Sequence, residues 1–290
     1  MKSLNRSSVK EGGMRVLFLL CACVSIIAVV TICIFLFGKG LPTMLKIGVG
    51  DFLFGKTWRP SAEQFGIFPM IVGSIYVTAG AILIGVPLAL LCAVFLAKFC
   101  PPRLYKIIKP AIQLMAGIPS IVYGFFGLVV IVPLLQRILG GSGKGIISAS
   151  VLLGIMILPT VIGVAETSLR AVPERYYEGA LALGATHERS VFSVEIPAAK
   201  SGVFAGVILG IGRAIGETMA VIMVAGNQEI MPDSIFSGVR TMTANIVLEM
   251  GYSEAGSMHQ NALIATGVAL FVFILLINIS FSLLKRKEKS

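Results

Sequence analysis

Long apolar runs separated by shorter charged stretches dominate the chain. A helix needs about 20 apolar residues to cross a bilayer, and six runs approach or exceed that length. The second run is longer than a span requires, so we expect it to tilt or to extend beyond the lipid. The pattern predicts an all-α membrane protein with six transmembrane helices near Val16–Phe37, Phe68–Ala97, Ala111–Leu135, Ile146–Ala165, Val203–Ala225 and Ala262–Leu284.

Composition supports a membrane protein over a soluble one. Hydrophobic residues make up 56% of the 290 residues and charged residues 13%, whereas about a quarter of a globular domain is charged. These values exclude a disordered chain, a secreted disulfide scaffold and a soluble Rossmann-type enzyme. The five cysteines include no C-x-x-C pair, which favours reduced thiols and neither disulfides nor a zinc site.

The first apolar run has two interpretations. Four basic residues precede it, as in the charged region of a signal peptide. However, the run is longer than a typical signal-peptide core, and no A-x-A cleavage site follows. The sequence therefore favours an uncleaved transmembrane helix.

The distribution of Lys and Arg predicts the orientation. With the N-terminus inside, the inner segments carry sixteen basic residues and the outer segments seven. Basic residues concentrate in cytoplasmic loops, so we expect a multi-pass protein of the cytoplasmic or inner membrane with both termini in the cytoplasm. The net charge of +10 reflects this topology and does not indicate nucleic-acid binding.

The longest inner connection, residues 166–200, is also the most charged part of the chain, and we call it the docking segment. Good helix formers at Glu178–Gly184 predict a short helix that ends at Gly184. Such a helix can lie in a groove of a soluble partner, or rest on lipid headgroups. The segment resembles the E-A-A-x3-G-x9-I-x-L-P loop of ABC importer permeases. The resemblance is carried by Glu178, Ala180, Gly184 and Pro197, with Val194 and Ile196 as conservative replacements, whereas Gly179 departs from the pattern.

Further motifs in the expected order strengthen this resemblance. The chain resembles the phosphate ABC-transporter permeases of the PstC or PstA type, and its N-terminal motifs are closer to PstC. These motifs are Trp58-Arg59-Pro60, Phe65-Gly66-Ile67, Gly73-Ser74, Gly117–Gly124, Leu158-Pro159-Thr160, Glu166-Thr167, Val172-Pro173 and Gly212–Thr218.

The resemblance implies a fold and a set of partners. The fold is that of a type I ABC importer permease, with a helix and outer loop at 1–66 and a five-helix core at 67–290. The partners are a PstA-like permease in a heterodimer, two cytoplasmic ATPase subunits and an external phosphate-binding protein. The chain is then no enzyme and binds no cofactor, because ATP and Mg²⁺ are held by the ATPases.

Two charges within the fifth apolar run indicate a functional interior. Arg213 and Glu217 are four residues apart, so one helix would present both on one face. A charge in the bilayer costs about 3 kcal/mol on insertion scales, and the fork of Arg donors matches phosphate oxygens. The pair therefore predicts a substrate pathway, while a structural ion pair that locks helices together is the alternative.

Prolines and glycines add candidates. Pro119 and Pro159 interrupt helix hydrogen bonding, and the adjacent hydroxyls either touch substrate or satisfy the freed backbone. The glycine spacing from Gly202 to Gly216 predicts close packing at a subunit interface or around the pathway. The predicted pathway residues are Arg213, Glu217, Thr218, Ser120 and Thr160.

Two other features indicate no chemistry. Gly140–Gly145 lacks the P-loop spacing, so it predicts an outer turn and no ATP site. His187 and His259 have no acidic or histidine partner at metal-ligand spacing, so neither is expected to bind a metal.

The predicted function is a permease subunit of an ATP-driven importer of inorganic phosphate. A permease for another oxyanion, such as molybdate or sulfate, is the alternative within the class. An ion-coupled secondary carrier using Arg213 and Glu217 as a proton relay is disfavoured by the docking segment. A scaffold subunit without a pathway is disfavoured by the interior charges.

Overall fold

The computed structural model describes the backbone of residues 2–287, and side-chain surroundings for residues 13–280 and Leu283. Residues 1 and 288–290, which include Lys289 of the charge count, lie outside the described residues. The described residues contain six helices long and apolar enough to cross a membrane, so the predicted number of spans is confirmed. The spans are Gly13–Ile47, Phe68–Phe99, Ser120–Leu139, Ile146–Arg170, His187–Gly216 and Met258–Ser280.

The N-terminal region packs on the last helix of the chain. Helix α1 (Lys2–Ile47) lies along α13 (Met258–Lys287), and a Cβ on Gly40 would collide with Val268. A short helix, α2 (Val49–Phe54), follows α1. A two-stranded hairpin, β1 (Trp58–Arg59) and β2 (Gln64–Phe65), follows it. Its two aromatic residues are buried beside α13, so the segments on either side of residue 66 share one core.

Three helices form the centre of the molecule. Helix α7 (Ile146–Arg170) packs between α3 (Phe68–Val94) and α10 (Ile196–Gly216). Gly202, Gly206 and Gly210 face Ser168, Val164 and Val161 of α7. The glycine stripe therefore brings two helices of this chain together, as small residues do in lipid, and this part of it does not form a subunit interface.

The third apolar run does not form the predicted continuous helix. It is divided into α4 (Pro102–Gly117), α5 (Ser120–Phe126) and α6 (Val132–Leu139), with a π-turn joining the last two. The break lies at Ile118–Pro119, where both residues are extended. A residue before proline is pushed out of the helical region. The span therefore begins at Ser120, and α4 precedes it as a separate helix.

The fifth run is also divided. Helices α8 (Glu174–Ala182) and α9 (His187–Ser190) precede a π-turn, Val191–Glu195, which runs into α10. Helix α10 ends at Gly216, and α11 (Met219–Val224) follows after two non-helical residues. A last short helix, α12 (Met242–Met250), precedes α13.

The two ends of the bundle differ in composition. The basic end contains α4, α8, α9 and the C-terminal ends of α3 and α7, joined by ion pairs of Lys98 and Lys109. The outer end contains α2, the hairpin, α12 and the first turn of α13. Its assignment to the outside rests on the count of basic residues and stays a prediction.

Candidate functional site

Arg213 lies in the middle of the helical bundle. Its Nη1 donates a hydrogen bond of 3.0 Å to Oγ1 of Thr160. Thr160 is 14 residues after the start of α7 and 10 before its end, which places it about 21 Å and 15 Å from the two ends. Within the described residues, Arg213 has no other hydrogen bond and no carboxylate within ion-pair distance. Most of the guanidinium donors are therefore available to another group.

Glu217 does not share a helical face with Arg213, so this expectation is wrong. Helix α10 ends at Gly216, and Glu217 is extended, with φ −72° and ψ 131°. Its Oε1 accepts a hydrogen bond from the backbone N–H of Ala220, at 3.2 Å. A carboxylate is favoured at the start of a helix, and glycine is a poor helix former. These two effects explain why the chain leaves the helix one residue before Glu217.

The predicted hydroxyl groups have separate surroundings. Thr160 accepts from Arg213 and so orients the guanidinium. Thr218 donates to the backbone carbonyl of Gly216 at 3.3 Å, beside the helix break. Ser120 is half-buried at the first residue of α5. Only Thr160, among the three, is brought into contact with Arg213.

One residue beside the break was not predicted from the sequence. Oγ1 of Thr243 donates a hydrogen bond of 3.1 Å to the backbone carbonyl of Glu217. The start of α12 is fixed by two more bonds, from Met242 N to Ser74 Oγ at 3.0 Å and from Ala244 N to Thr241 Oγ1 at 3.2 Å. The only sequence signal was the capping threonine before an apolar run, and it does not identify the contact across 26 residues.

The docking segment contains the predicted short helix and the predicted turn. Helix α8 covers Glu178, and Gly184 follows it with φ +82°, a conformation that favours glycine. The N–H groups of Gly184 and Ala185 donate to Leu181 O and Ala180 O, at 2.9 and 3.1 Å, which closes the end of the helix. Leu183, between the end of α8 and Gly184, is 92% exposed. An apolar side chain therefore projects from the tip of the segment.

The candidate docking residues divide into two groups. Glu178, Gly184 and Pro197 are exposed. Val194 and Ile196 are partly buried, and Ala180 is only 8% exposed. Helix α8 packs against the π-turn Val191–Glu195, so Ala180 is buried within this chain, and its role in docking stays a prediction.

Charged residues join three elements at the basic end. Glu166, 1% exposed, accepts from Lys109, from Tyr105 Oη at 2.7 Å and from Arg170 Nε at 2.9 Å. Arg170 also donates to the carbonyl of Leu96 at 2.8 Å. The hydrogen bond to Glu166 raises the pKa of the Tyr105 hydroxyl, with a smaller contribution from burial. This cluster fixes α4 and the end of α3 against the end of α7.

A second cluster, which we call the Arg240 cluster, closes the outer end. Nη1 of Arg240 lies 2.6 Å from both Glu229 Oε1 and Glu249 Oε1. Oε2 of Glu249 accepts from Trp58 Nε1 and pairs with His259 Nε2, each at 2.8 Å. These five residues come from four separate parts of the chain, and sequence spacing does not reveal such contacts.

Comparison with known proteins identifies the family. Residues 85–290 match the family described as binding-protein-dependent transport system inner membrane component. The chain belongs to this family. The matched range begins within α3 and includes the docking segment and Arg213, whereas α1, α2 and the hairpin precede it.

Individual relatives of this transport family resemble the chain over most of its length. The probable ABC transporter permease protein YqgH of Bacillus subtilis (strain 168) is 39% identical over 286 residues, covering 96% of this chain and 93% of the relative. The phosphate transport system permease protein PstC of Mesorhizobium japonicum (strain LMG 29417 / CECT 9101 / MAFF 303099) is 37% identical over 248 residues, covering 78% and 75%.

A solved structure confirms the fold. A bacterial ABC transporter that imports the acidic polysaccharide alginate has a chain with a TM-score of 0.62, covering 92% of this chain and 95% of that one. The two are 14% identical, so the likeness concerns the fold alone. The all-α, multi-pass ABC importer permease fold predicted from the sequence is confirmed.

Proposed function

We propose that the chain is a permease subunit of an ATP-driven importer of inorganic phosphate, where it forms half of the translocation pathway. The likeness to PstC supports the substrate class. One structural observation carries the proposal: Arg213, in the middle of the bundle, is held by a neutral hydroxyl and by no carboxylate within the described residues.

The surroundings of Arg213 suit a transient anion. A charge within a membrane protein normally faces a partner charge or a wet cavity. If carboxylates bound all of its donors, the arginine would be neutralised at all times and would have no donor left for the substrate. Thr160 instead fixes one nitrogen and leaves the rest of the planar fork free, which matches the oxygens of phosphate. Arg213 would stabilise phosphate as it passes the break at Glu217.

The location of Glu217 changes the structural alternative. An ion pair between Arg213 and Glu217 would lock α10 and explain both charges without transport. Glu217 instead accepts from the N–H of Ala220, and no ion pair joins it to Arg213 in the part of the chain described. We therefore assign the two residues separate roles: Arg213 to the anion, and Glu217 to the shape of the break.

The basic end would receive the ATPases. The docking segment has three exposed apolar side chains on or beside α8, Leu183, Tyr176 and Leu181, with 92%, 46% and 40% of their surfaces exposed. Apolar anchors on a rigid turn are typical of docking surfaces. We infer that two ATPase subunits bind ATP and Mg²⁺ and move this segment, and that a PstA-like permease and an external phosphate-binding protein complete the importer. The chain itself catalyses no covalent step.

The decisive experiment replaces Arg213 in the complete importer. Arg213→Gln keeps hydrogen-bonding capacity but removes the charge and the fork. Losing charged hydrogen bonds to substrate corresponds to about a tenfold to hundredfold fall in phosphate uptake. Reconstituted vesicles measure uptake, and co-purification of the ATPase measures assembly, which we expect to be unchanged.

Controls separate the pathway from the fold. Arg137→Gln, at an exposed position on α6, should leave uptake and assembly unchanged. Because Arg213 and Glu217 are not paired, Arg213→Gln combined with Glu217→Gln should transport no better than Arg213→Gln alone. Near-normal uptake by the double variant would restore the ion-pair explanation and contradict the proposal.

A further inference from the structure

Two π-turns meet at the basic end of the bundle. One, Phe95–Phe99, ends the second span after α3, and the other, Val191–Glu195, leads into α10. Lys98 in the first forms an ion pair with Glu195 in the second. Single π-turns within helices occur frequently at functional sites. This ion pair joins the end of the second span to the turn from which α10 begins.

The carboxylate of this ion pair is buried, and Lys98 is its one hydrogen-bond partner among the described residues. The side chain of Glu195 is 2% exposed and that of Lys98 is 17% exposed. Oε2 of Glu195 is buried and has no hydrogen-bond partner among the described residues. Removing the ammonium group would therefore leave a buried charge without compensation, which is strongly unfavourable. The pair is a constraint that is costly to break, so the two helix ends are held together.

The same two turns are linked to helix α8 of the docking segment. Helix α8 packs directly on Val191–Glu195. Tyr177 Oη of α8 lies 2.9 Å from His187 Nδ1, and the His187 ring meets the Phe99 ring edge-on, with centroids 4.9 Å apart. A polar cavity of about 310 Å³ lies beside these contacts, and its lining includes Tyr177 and both members of the ion pair, Lys98 and Glu195. Movement of α8 therefore reaches α10 through packing, and α3 through the rings and the ion pair.

We propose that Lys98 and Glu195 are positioning residues that clamp the end of α3 to the start of α10, so that both helices follow α8 as one rigid body. Without the clamp, α8 would still move α10, but α3 would lag behind. ATP hydrolysis would then continue while less phosphate is moved per ATP. The inference rests on the proposed function, because it assigns the mechanical linkage of the same importer.

The test measures coupling in the complete importer, reconstituted in vesicles with its ATPase and phosphate-binding protein. Lys98→Met should lower the phosphate moved per ATP hydrolysed by about fivefold or more, as expected for loss of a typical coupling interaction. Lys98→Arg retains the charge and should restore the ratio. Lys106→Met, at an exposed position on α4, is the matched control and should leave the ratio unchanged. A Lys98→Met importer with an unchanged ratio overturns the clamp, even where uptake and hydrolysis fall together.

A cross-link provides an independent test if Lys98→Met does not assemble. Lys98→Cys with Glu195→Cys, in a background without the five native cysteines, is joined by a short thiol-specific cross-linker. A rigid clamp predicts that the joined importer transports phosphate as well as the uncross-linked wild type. Loss of uptake on cross-linking would show that the helices separate during the cycle and would overturn the clamp. Failure of the proposed function is distinguishable, because the wild-type importer itself would then move no phosphate.

Discussion

Two arginines in this chain occupy contrasting surroundings. Arg240, at the outer end, lies 2.6 Å from two carboxylates, 3.1 Å from Asn245 Oδ1 and 3.2 Å from the carbonyl of Asn227. Arg213, in the middle of the bundle, has a single 3.0 Å hydrogen bond to Thr160 within the described residues. Burial does not separate them, because both side chains are partly buried.

The difference distinguishes a structural charge from one available for transport. The carboxylates around Arg240 neutralise it in every conformation that keeps the cluster together, and they leave it no capacity for an anion. Arg213 has its donors in place but lacks the compensating charge that a membrane interior demands. A transient anion supplies that charge, so substrate binding and the stability of the site are linked at Arg213 and not at Arg240.

The largest effect expected from this comparison is a loss of stability of the folded importer when Arg240 is replaced. Arg240→Gln takes from Glu249, whose side chain is 16% exposed, its permanently charged partner and leaves it only His259 and Trp58. Breaking such a pair costs about 3–5 kcal/mol, so the yield of folded importer and its thermal stability in detergent should fall sharply. Arg213→Gln, which strands no carboxylate among the residues that the structure describes, should retain the yield and lose only uptake. If the Arg240→Gln importer were stable and fully assembled but lacked uptake, Arg240 would belong to the pathway. The distinction between a structural Arg240 and a transporting Arg213 would then be wrong.

Sequence reasoning found features that depend on local pattern and missed those that depend on distant contacts. The number of spans follows from run length, and the turn at Gly184 from a helix former followed by glycine, since both signals are local. Pro119 was expected to interrupt helix hydrogen bonding, but the division into separate helices was not predicted, because the apolar run continues through it. Arg213 has no ion pair with Glu217 because the helix ends before Glu217. Hydrophobic periodicity alone does not specify where the helix ends.

The Arg240 cluster and the Lys98–Glu195 clamp show the same limit more strongly. Lys98 and Glu195 are 97 residues apart, and Trp58 and Glu249 are 191 residues apart. Each residue alone resembles a solvated loop charge or an interfacial aromatic residue. Only the packing of the helices brings them together, so no single-sequence pattern identifies the pair.

A smaller effect should follow when Arg213 loses its one hydrogen bond. Thr160→Val keeps the shape of the side chain but removes the acceptor, so the guanidinium is no longer oriented. A hydrogen bond contributes about 1 kcal/mol, which corresponds to a roughly fivefold rise in the phosphate concentration for half-maximal uptake. Thr160→Ser retains the hydroxyl and should behave as wild type. If Thr160→Val instead abolished assembly, the bond would be structural, and Arg213 would resemble Arg240 more than we infer.

The smallest effect is expected at Thr243, where the two regions meet. Helix α12 carries Glu249 of the Arg240 cluster near its C-terminal end, and Thr243 near its start donates to the carbonyl of Glu217 at 3.1 Å. Thr243→Val removes the neutral hydrogen bonds of one hydroxyl, to the carbonyl of Glu217 and to Thr241 Oγ1, and should reduce uptake by roughly twofold to fivefold, with assembly unchanged. Thr243→Ser is the matched control and should retain full uptake.

The combination of Thr243→Val with Thr160→Val tests whether the regions act separately. The two hydroxyls bond to different groups, Thr243 to the carbonyl of Glu217 and Thr160 to the guanidinium of Arg213. Changes at independent sites add to within about 0.5 kcal/mol, so the losses of uptake should multiply. A double variant no worse than either single variant would show that α12 acts on the anion site through the orientation of Arg213. The Arg240 cluster would then influence transport through α12. Arg240 and Arg213 would differ only in their distance from the anion, and not in whether they affect its passage.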